Sequence, residues 1–169
     1  MADLKGSKTE SGLLEAFAGE SQANRKYLAF AEKADQEGYS AVAKLFRAAA
    51  AAETVHAHAH LRALGGIRTT VDNLREALAG ETHEFNQMYP QMIEDAAAEG
   101  LDAAHRSFRF ANAVEKVHAI LYQKALDNID QNAPVDYYVC KVCGNTVEGA
   151  PHGPCSVCQA LPAAFFKVD

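Results

Sequence analysis

Apolar and polar positions recur along this chain in two matching blocks. The stretch Leu13-Leu14-Glu15-Ala16-Phe17-Ala18-Gly19-Glu20 lies over Leu74-Arg75-Glu76-Ala77-Leu78-Ala79-Gly80-Glu81 with six of eight residues identical, at an offset of 61. Farther on, Glu37-Gly38 matches Glu99-Gly100, and Glu53-Thr54-Val55-His56 matches Glu115-Lys116-Val117-His118, both at an offset of 62. Residues 13–64 and 74–126 therefore read as two copies of one unit, the second longer by one residue. Each copy holds two long segments parted at a glycine, Gly38 or Gly100, and Gly65-Gly66 parts the copies.

The four segments have the composition of helices. They carry the run Ala48 to Ala52, frequent Glu, Lys, Arg, Leu and Gln, and few β-branched residues, all of which favour helix propagation. Helix is expected over 9–37, 40–64, 72–99 and 102–131. Ser40, Asp72 and Asp102 are the expected N-caps, and the glycines at the segment ends suit left-handed C-terminal positions. Pro90 falls inside the third segment, where it lacks an amide proton and crowds the preceding turn, so a kink is expected there. Four such helices joined by short turns predict a mainly α protein with an antiparallel four-helix bundle and a buried seam.

Composition narrows the picture. The 169 residues, 49% hydrophobic, suffice for one good core. Sixteen basic against 22 acidic side chains give a formal net charge of −6, which disfavours nucleic acid as a partner. No apolar run approaches a membrane span, and Met1 to Gly12 is polar, without a signal peptide's apolar segment. The cytoplasm is the expected compartment. After Gln131-Asn132-Ala133-Pro134 the sequence changes to Val, Tyr and Phe clusters among Gly and Pro, so two domains are expected, 1–133 and 134–169. A tail of about 35 residues is too short to fold on apolar burial alone and needs a metal or cross-links.

Acidic residues and histidines stand where the bundle seam calls for apolar side chains. Glu53 and His56, and again Glu115 and His118, are three apart on a helix, about 60° around the axis and roughly 4.5 Å along it, so both members of each pair reach one ion. Glu20 and Glu81 occupy equivalent places on the first and third helices. A carboxylate from each of two helices with a Glu-x-x-His pair from each of the other two is the ligand pattern of di-iron and di-manganese carboxylate bundles. Glu84, whose counterpart is Ala23, adds a fifth carboxylate. Five carboxylates in one core are costly without counter-charge, and two divalent ions supply it. Carboxylates with two imidazoles suit Fe or Mn better than Cu(I), Mg or Ca. A metalloprotease is disfavoured, since His83-Glu84 is followed by Phe85-Asn86-Gln87 and no His-Glu-x-x-His occurs.

The remaining histidines, His58, His60, His83, His105 and His152, read as surface or supporting residues; His60 lies one turn from His56, but its counterpart is Tyr122. Tyr27 follows Glu20 by seven residues, whereas Tyr89 follows Glu81 by eight. If the two tyrosines are equivalent, the extra residue of the second copy falls between Glu81 and Tyr89 and makes a π-bulge that turns Glu84 toward the metals. Both tyrosines are candidates to hydrogen-bond ligand carboxylates, with ordinary packing as the alternative.

All four cysteines lie in the tail, as Cys140-Lys141-Val142-Cys143 and Cys155-Ser156-Val157-Cys158 with 11 residues between the pairs. Two such knuckles place four sulfurs around one ion, and iron and Zn²⁺ both fit that geometry. Clustering of this kind differs from a secreted disulfide framework.

In Glu20, Glu53-x-x-His56, Glu81-Thr82-His83-Glu84 with Met88-Tyr89-Pro90, Glu115-x-x-His118, and Tyr138-Val139-Cys140-x-x-Cys143-Gly144 with its second knuckle, the chain resembles rubrerythrin over nearly its whole length. The resemblance implies a ferritin-like four-helix bundle with a small C-terminal rubredoxin-like domain. It implies two Fe bound by Glu20, Glu53, His56, Glu81, Glu84, Glu115 and His118, and one Fe bound by Cys140, Cys143, Cys155 and Cys158. In the family one iron exchanges a Glu for a His ligand on reduction; Glu84 and His56 occupy those positions. The implied activity is reduction of hydrogen peroxide to water. Electrons are expected from an external rubredoxin or NAD(P)H-dependent reductase, because no Gly-x-Gly-x-x-Gly segment occurs, and a homodimer or larger assembly is expected. The alternatives are a ferroxidase that handles iron, and a non-enzymatic module with zinc in the cysteines. Two positions depart from the family: Gln159 where Gly is usual, at a place that tends to be left-handed, and Lys141 where Pro is more usual.

Overall fold

A computed structural model of the chain describes residues 4–131 and 133–169; Met1–Asp3 of the polar start and Asn132 of the junction lie outside them. Among the described residues the elements are α1 (Lys8–Gln36), α2 (Ser40–Ala63), α3 (Thr70–His83), a π-helical turn (Glu84–Met88), α4 (Tyr89–Ala98) and α5 (Asp102–Asp127), then β1 (Tyr137–Cys140), β2 (Thr146–Glu148) and β3 (Phe165–Lys167). The third expected helix is thus one helical stretch with a π turn inside it. The protein is mainly α, as its pattern predicts, and its contacts group into two units, Met1–Arg68 and Thr69–Asp169.

The first unit is the α1/α2 hairpin. Its buried side chains are all small, Ala31 and Ala34 on α1 and Ala43, Ala50 and Ala57 on α2, the last three at a seven-residue spacing that keeps them on one stripe. Alanine lets the helix backbones approach closely, and that proximity lets the Asn24 amide reach across to the Ala50 carbonyl at 2.7 Å and the Thr54 hydroxyl at 2.9 Å. Farther along, Tyr27, Phe30 and Phe46 form an aromatic cluster, with Phe30 edge-on to Phe46 at 5.6 Å, and Arg47 donates to Asp35. The turn between the helices is set by Gly38 at φ +84°. Gly38 donates to the Asp35 carbonyl and Tyr39 to that of Ala34, the paired bonds of a Schellman end. The same pair recurs at Gly100 and Leu101, so the repeat extends to how its helices stop.

How the helices start departs from expectation. Ser40 and Asp102 are the first residues of α2 and α5, behind Tyr39 and Leu101 as caps with no side-chain bond. At α3 the cap is Thr69, whose hydroxyl accepts from the Asp72 amide and donates to the Asp72 carboxylate at 2.6 Å. Asp72 is thus the third residue of the helix and a partner of the Thr69 hydroxyl rather than the cap. Asp72 and Asp102 keep a role in the first turn, where a negative charge is favourable. α1 begins behind Ser7, which accepts from the Glu10 amide at 3.0 Å. At the far end α5 stops at Asp127 rather than 131, where Asn128 folds its side chain back onto the Lys124 carbonyl.

In the second unit α3 and α4 pack along α5, with Ala96, Val114 and Ala119 buried. The tail forms an antiparallel sheet of order β2-β1-β3, with Val139 opposite both Thr146 and Phe166. Cys140 and Cys155 are each 1% exposed, so the sulfur cluster is this small sheet's core. β2 reaches α5, and Lys124 pairs with Glu148 there. No helix among the described residues is long and apolar enough to cross a membrane.

Candidate metal centres

Each copy of the repeat builds one acid-histidine cluster from its own two helices. In the first unit Glu20 of α1 meets Glu53 and His56 of α2; in the second Glu81 of α3 meets Glu115 and His118 of α5. Within each set the ligand atoms lie within 4.8 Å of one another. The three-residue spacing does what helix geometry requires: Nδ1 of His56 is 3.0 Å from Glu53 Oε2, and Nδ1 of His118 is 2.8 Å from Glu115 Oε2. Nδ1 then lies 3.9 Å from Glu20 in the first set and 3.5 Å from Glu81 in the second.

Two carboxylates held this close compete for one proton. Hydrogen bonding to Glu53, with burial behind it, raises Glu20 above the usual carboxylate range, while Glu20 and His56 hold Glu53 below it. In the second set burial is the main cause, followed by the charge and hydrogen bond of Glu115 and the charge of Glu84, and together they push Glu81 up to about 7. Like charge and burial both disfavour ionising the two carboxylates together. A divalent ion among these oxygens and the imidazole removes the repulsion, so the donor set fits a metal.

Glu84 stands outside the tight trio. It is the first residue of the π turn, and its charge acts on both Glu81 and Tyr89. The turn supplies the extra residue that the tyrosine spacing requires, and Pro90 follows it at the start of α4. A proline contributes no amide donor, and the widened turn accommodates the lost bond without a break in the helix. Tyr89 sits beside Phe108 at 6.3 Å. Burial, then the charges of Glu115, Glu84 and Glu81, raise its phenol, so its proton stays available as a hydrogen-bond donor. Tyr27 packs its ring in the aromatic cluster of the hairpin, 6.4 Å from Phe30 and 6.2 Å from Phe46. His60 faces Glu20, whose pKa its charge lowers, but lies outside the trio.

Two residues near the second set were not among the expected ones. Tyr122 has its phenol raised by burial, Glu81 and Glu115; it is the counterpart of His60, and that pairing is the signal that marks it. Thr146, on β2, places Oγ1 3.0 Å from His118 Nε2, 28 residues away in sequence. An open cleft of about 750 Å³ runs alongside, bounded by Arg106, Phe110, Glu115 and His118 of α5 and by Cys143 and Cys158.

The four cysteines meet in one cluster. Cys140 and Cys158 sulfurs are 3.7 Å apart, and those of Cys143 and Cys155 3.5 Å. A tetrahedron with metal–sulfur bonds of about 2.3 Å has edges of about 3.8 Å, so the cage has the size of a four-thiolate site. The two knuckles are built alike: the Cys140 amide donates to the Asn145 carbonyl and Gly144 to that of Cys140, while Cys155 donates to Ala160 and Gln159 to Cys155. Gly144 at φ +82° therefore has Gln159 at φ +63° as its twin, and Gln159 occupies the left-handed position expected of it. Burial alone would raise the Cys155 thiol, but the amides of Cys158 and Val157 and the neighbouring thiols outweigh it and bring it to about 7. Burial keeps Cys143 and Cys158 high, although the Asn145 and Ala160 amides favour their thiolates. Lys141 extends over the Phe166 ring at 6.0 Å.

The family model for rubrerythrin matches residues 12–126. The chain belongs to the rubrerythrin family. It is 34% identical to Rubrerythrin-2 of Clostridium acetobutylicum, covering 96% of this chain and 97% of that protein. It is 35% identical to the rubrerythrin of Porphyromonas gingivalis, covering 97% and 91%. Among solved structures it is similar to nigerythrin in a fully reduced, all-ferrous state, with a TM-score of 0.59, 32% identity, and 99% of this chain and 91% of that one covered. Ferritin-like helices followed by a rubredoxin-like four-cysteine sheet are thus the chain's fold class.

Proposed function

We propose that this rubrerythrin-family protein is a non-haem di-iron peroxidase that reduces hydrogen peroxide to water. Residues 1–133 act as the di-iron bundle and 134–169 as the domain of the thiolate-bound iron. In this reading Glu20, Glu53, His56, Glu81, Glu84, Glu115 and His118 hold the iron pair, and Cys140, Cys143, Cys155 and Cys158 hold the third ion. The observation that carries it is the presence in one unit of a four-sulfur cage next to the Glu81, Glu115 and His118 set. A site that only stored or oxidised iron has no use for a one-electron centre beside it.

Peroxide takes up two electrons and two protons and leaves as two waters. When bound, the ferrous pair supplies one electron from each ion and a Lewis-acid surface for the peroxide oxygens, and the thiolate iron returns electrons singly. The chain's residues do the rest. The carboxylates and imidazoles would hold the cations, and Tyr89 and Tyr122, whose phenols are raised by burial and by the charges of Glu81 and Glu115, keep protonated hydroxyls in the field of those carboxylates. The cleft along α5 gives a small oxidant access to Glu115 and His118. An external rubredoxin or NAD(P)H-dependent reductase would be the electron donor to an ion held by the four cysteines, in a cytoplasmic homodimer or larger assembly.

The test is to reduce the protein anaerobically, add one equivalent of hydrogen peroxide, and follow the red ferric-thiolate absorption, with oxygen as control. Faster return of colour with peroxide supports the peroxidase. Preference for oxygen with rapid Fe²⁺ turnover replaces it with a ferroxidase, and a protein that never colours is the zinc-stabilised module.

A further inference from the structure

His118 differs from its twin His56 in having a partner on both ring nitrogens. Nδ1 faces the carboxylates of Glu115 and Glu81 at 2.8 and 3.5 Å, and Nε2 lies 3.0 Å from the Thr146 hydroxyl. That hydroxyl is also 3.2 Å from the Gly144 carbonyl. A carbonyl only accepts, and a hydroxyl has one proton to give. If Thr146 donates to Gly144, it receives at its oxygen, and the hydrogen between it and the imidazole belongs to Nε2. The chain of donors then runs from His118 Nε2 through Thr146 Oγ1 to the carbonyl of Gly144, the residue that follows Cys143.

We propose that Thr146, contributed by the cysteine-bearing sheet, is a positioning residue for the bundle metal: it holds the His118 ring with Nε2 protonated, so that the Nδ1 lone pair is left for the ion between Glu81 and Glu115. The proposal rests on the preceding reading only in taking His118 as a ligand. Thr146 suits the task because its position is fixed twice. Its backbone lies opposite Val139 in the sheet, and its branched β-carbon restricts the side-chain rotamer. Partners that orient a ligating histidine through its other nitrogen are a general feature of metal sites, and their loss typically costs about 10- to 100-fold in affinity. Here that partner comes from the domain that holds the other metal, so the sulfur cage and the acid-histidine set share a hydrogen-bonded connection within one chain.

The full-length protein with Zn²⁺ in its cysteines is titrated anaerobically with Fe²⁺ by calorimetry. Thr146→Val, nearly isosteric but without the hydroxyl, is expected to weaken the tighter Fe²⁺ site by about 10-fold or more, while Thr146→Ser restores it. Lys124→Met, which removes the other tie between α5 and β2, is expected to keep wild-type affinity. Wild-type affinity in Thr146→Val, or an equal loss in Lys124→Met or Thr146→Ser, overturns the proposal. His118→Ala separates the two readings: if it too binds like wild type, His118 is no ligand and the underlying assignment fails with the proposal. A second measurement uses the unaltered chain. In the all-zinc protein, nitrogen NMR of His118 is expected to show a proton on Nε2 and metal on Nδ1; the reverse assignment overturns the proposal even should Thr146→Val fail to fold.

Discussion

The two acid-histidine sets come from one duplicated sequence, and the differences between them show what the duplication left free. Both have the same Glu-x-x-His spacing and the same carboxylate on the facing helix. In the α1/α2 set the histidine side chain is 55% exposed and in the α3/α5 set 28%; the facing carboxylates are 31% and 18%. The second copy also carries the inserted residue, Glu84 and the neighbouring β2 strand. Burial therefore dominates the shift of Glu81, whereas a shared hydrogen bond dominates that of Glu20. The Glu-x-x-His spacing is inherited; the proton affinity of each set is fixed by what is packed around it.

The most forceful way to break this comparison is to remove each histidine in turn. His118→Ala is expected to weaken the first Fe²⁺ bound by about 100-fold, or about 2.7 kcal/mol, whereas His56→Ala leaves the first ion bound and lowers affinity for the second. Anaerobic calorimetry reads both, and the opposite order would show that burial does not rank the sites.

Acidity provides a gentler probe. Glu81 has a metal-free value of about 7, above its ordinary 4.5, so the folded metal-free state binds the extra proton between those values. Its contribution to stability is fully present below about pH 4.5 and is lost as pH rises through about 7. Metal binding must displace the same proton. Affinity at the α3/α5 set should therefore fall by up to about tenfold per pH unit below pH 7, with proton release, seen as a dependence of binding heat on buffer. The α1/α2 set should change less over that window. Equal pH dependence of both would contradict the difference in burial.

The two knuckles allow a parallel test on a smaller scale. Gln159→Gly relieves a left-handed non-glycine residue, a strain of about 1–2 kcal/mol, partly offset by the freer unfolded chain. The net expectation is a gain of about 1 kcal/mol in thermal or denaturant unfolding of the metal-loaded protein.

Much of this was legible in the sequence, and the exceptions have a common cause. The repeat exposed four helical segments, both Glu-x-x-His pairs and the sulfur cage, because their spacings are local and helix or knuckle geometry converts them directly into proximity. Even the π turn was readable, since one extra residue between Glu81 and Tyr89 has few other ways to be accommodated in a continuous helix. The N-caps were misplaced by one to three residues because Ser40, Asp72 and Asp102 are all favourable in a first turn, and only backbone geometry distinguishes the cap from the first helical residues after it. Thr146 was invisible, because its meeting with His118 depends on where a small sheet docks on α5, which no periodicity encodes.

Iron-57 reconstitution tests most directly whether one chain holds two chemically distinct kinds of metal site. Mössbauer spectra of the full-length protein are predicted to show two irons with oxygen and nitrogen ligands for each iron in a four-sulfur environment, the former abolished by Glu115→Ala and the latter by Cys140→Ser. Iron confined to the sulfur cage, with none retained by the acid-histidine sets, would contradict the account.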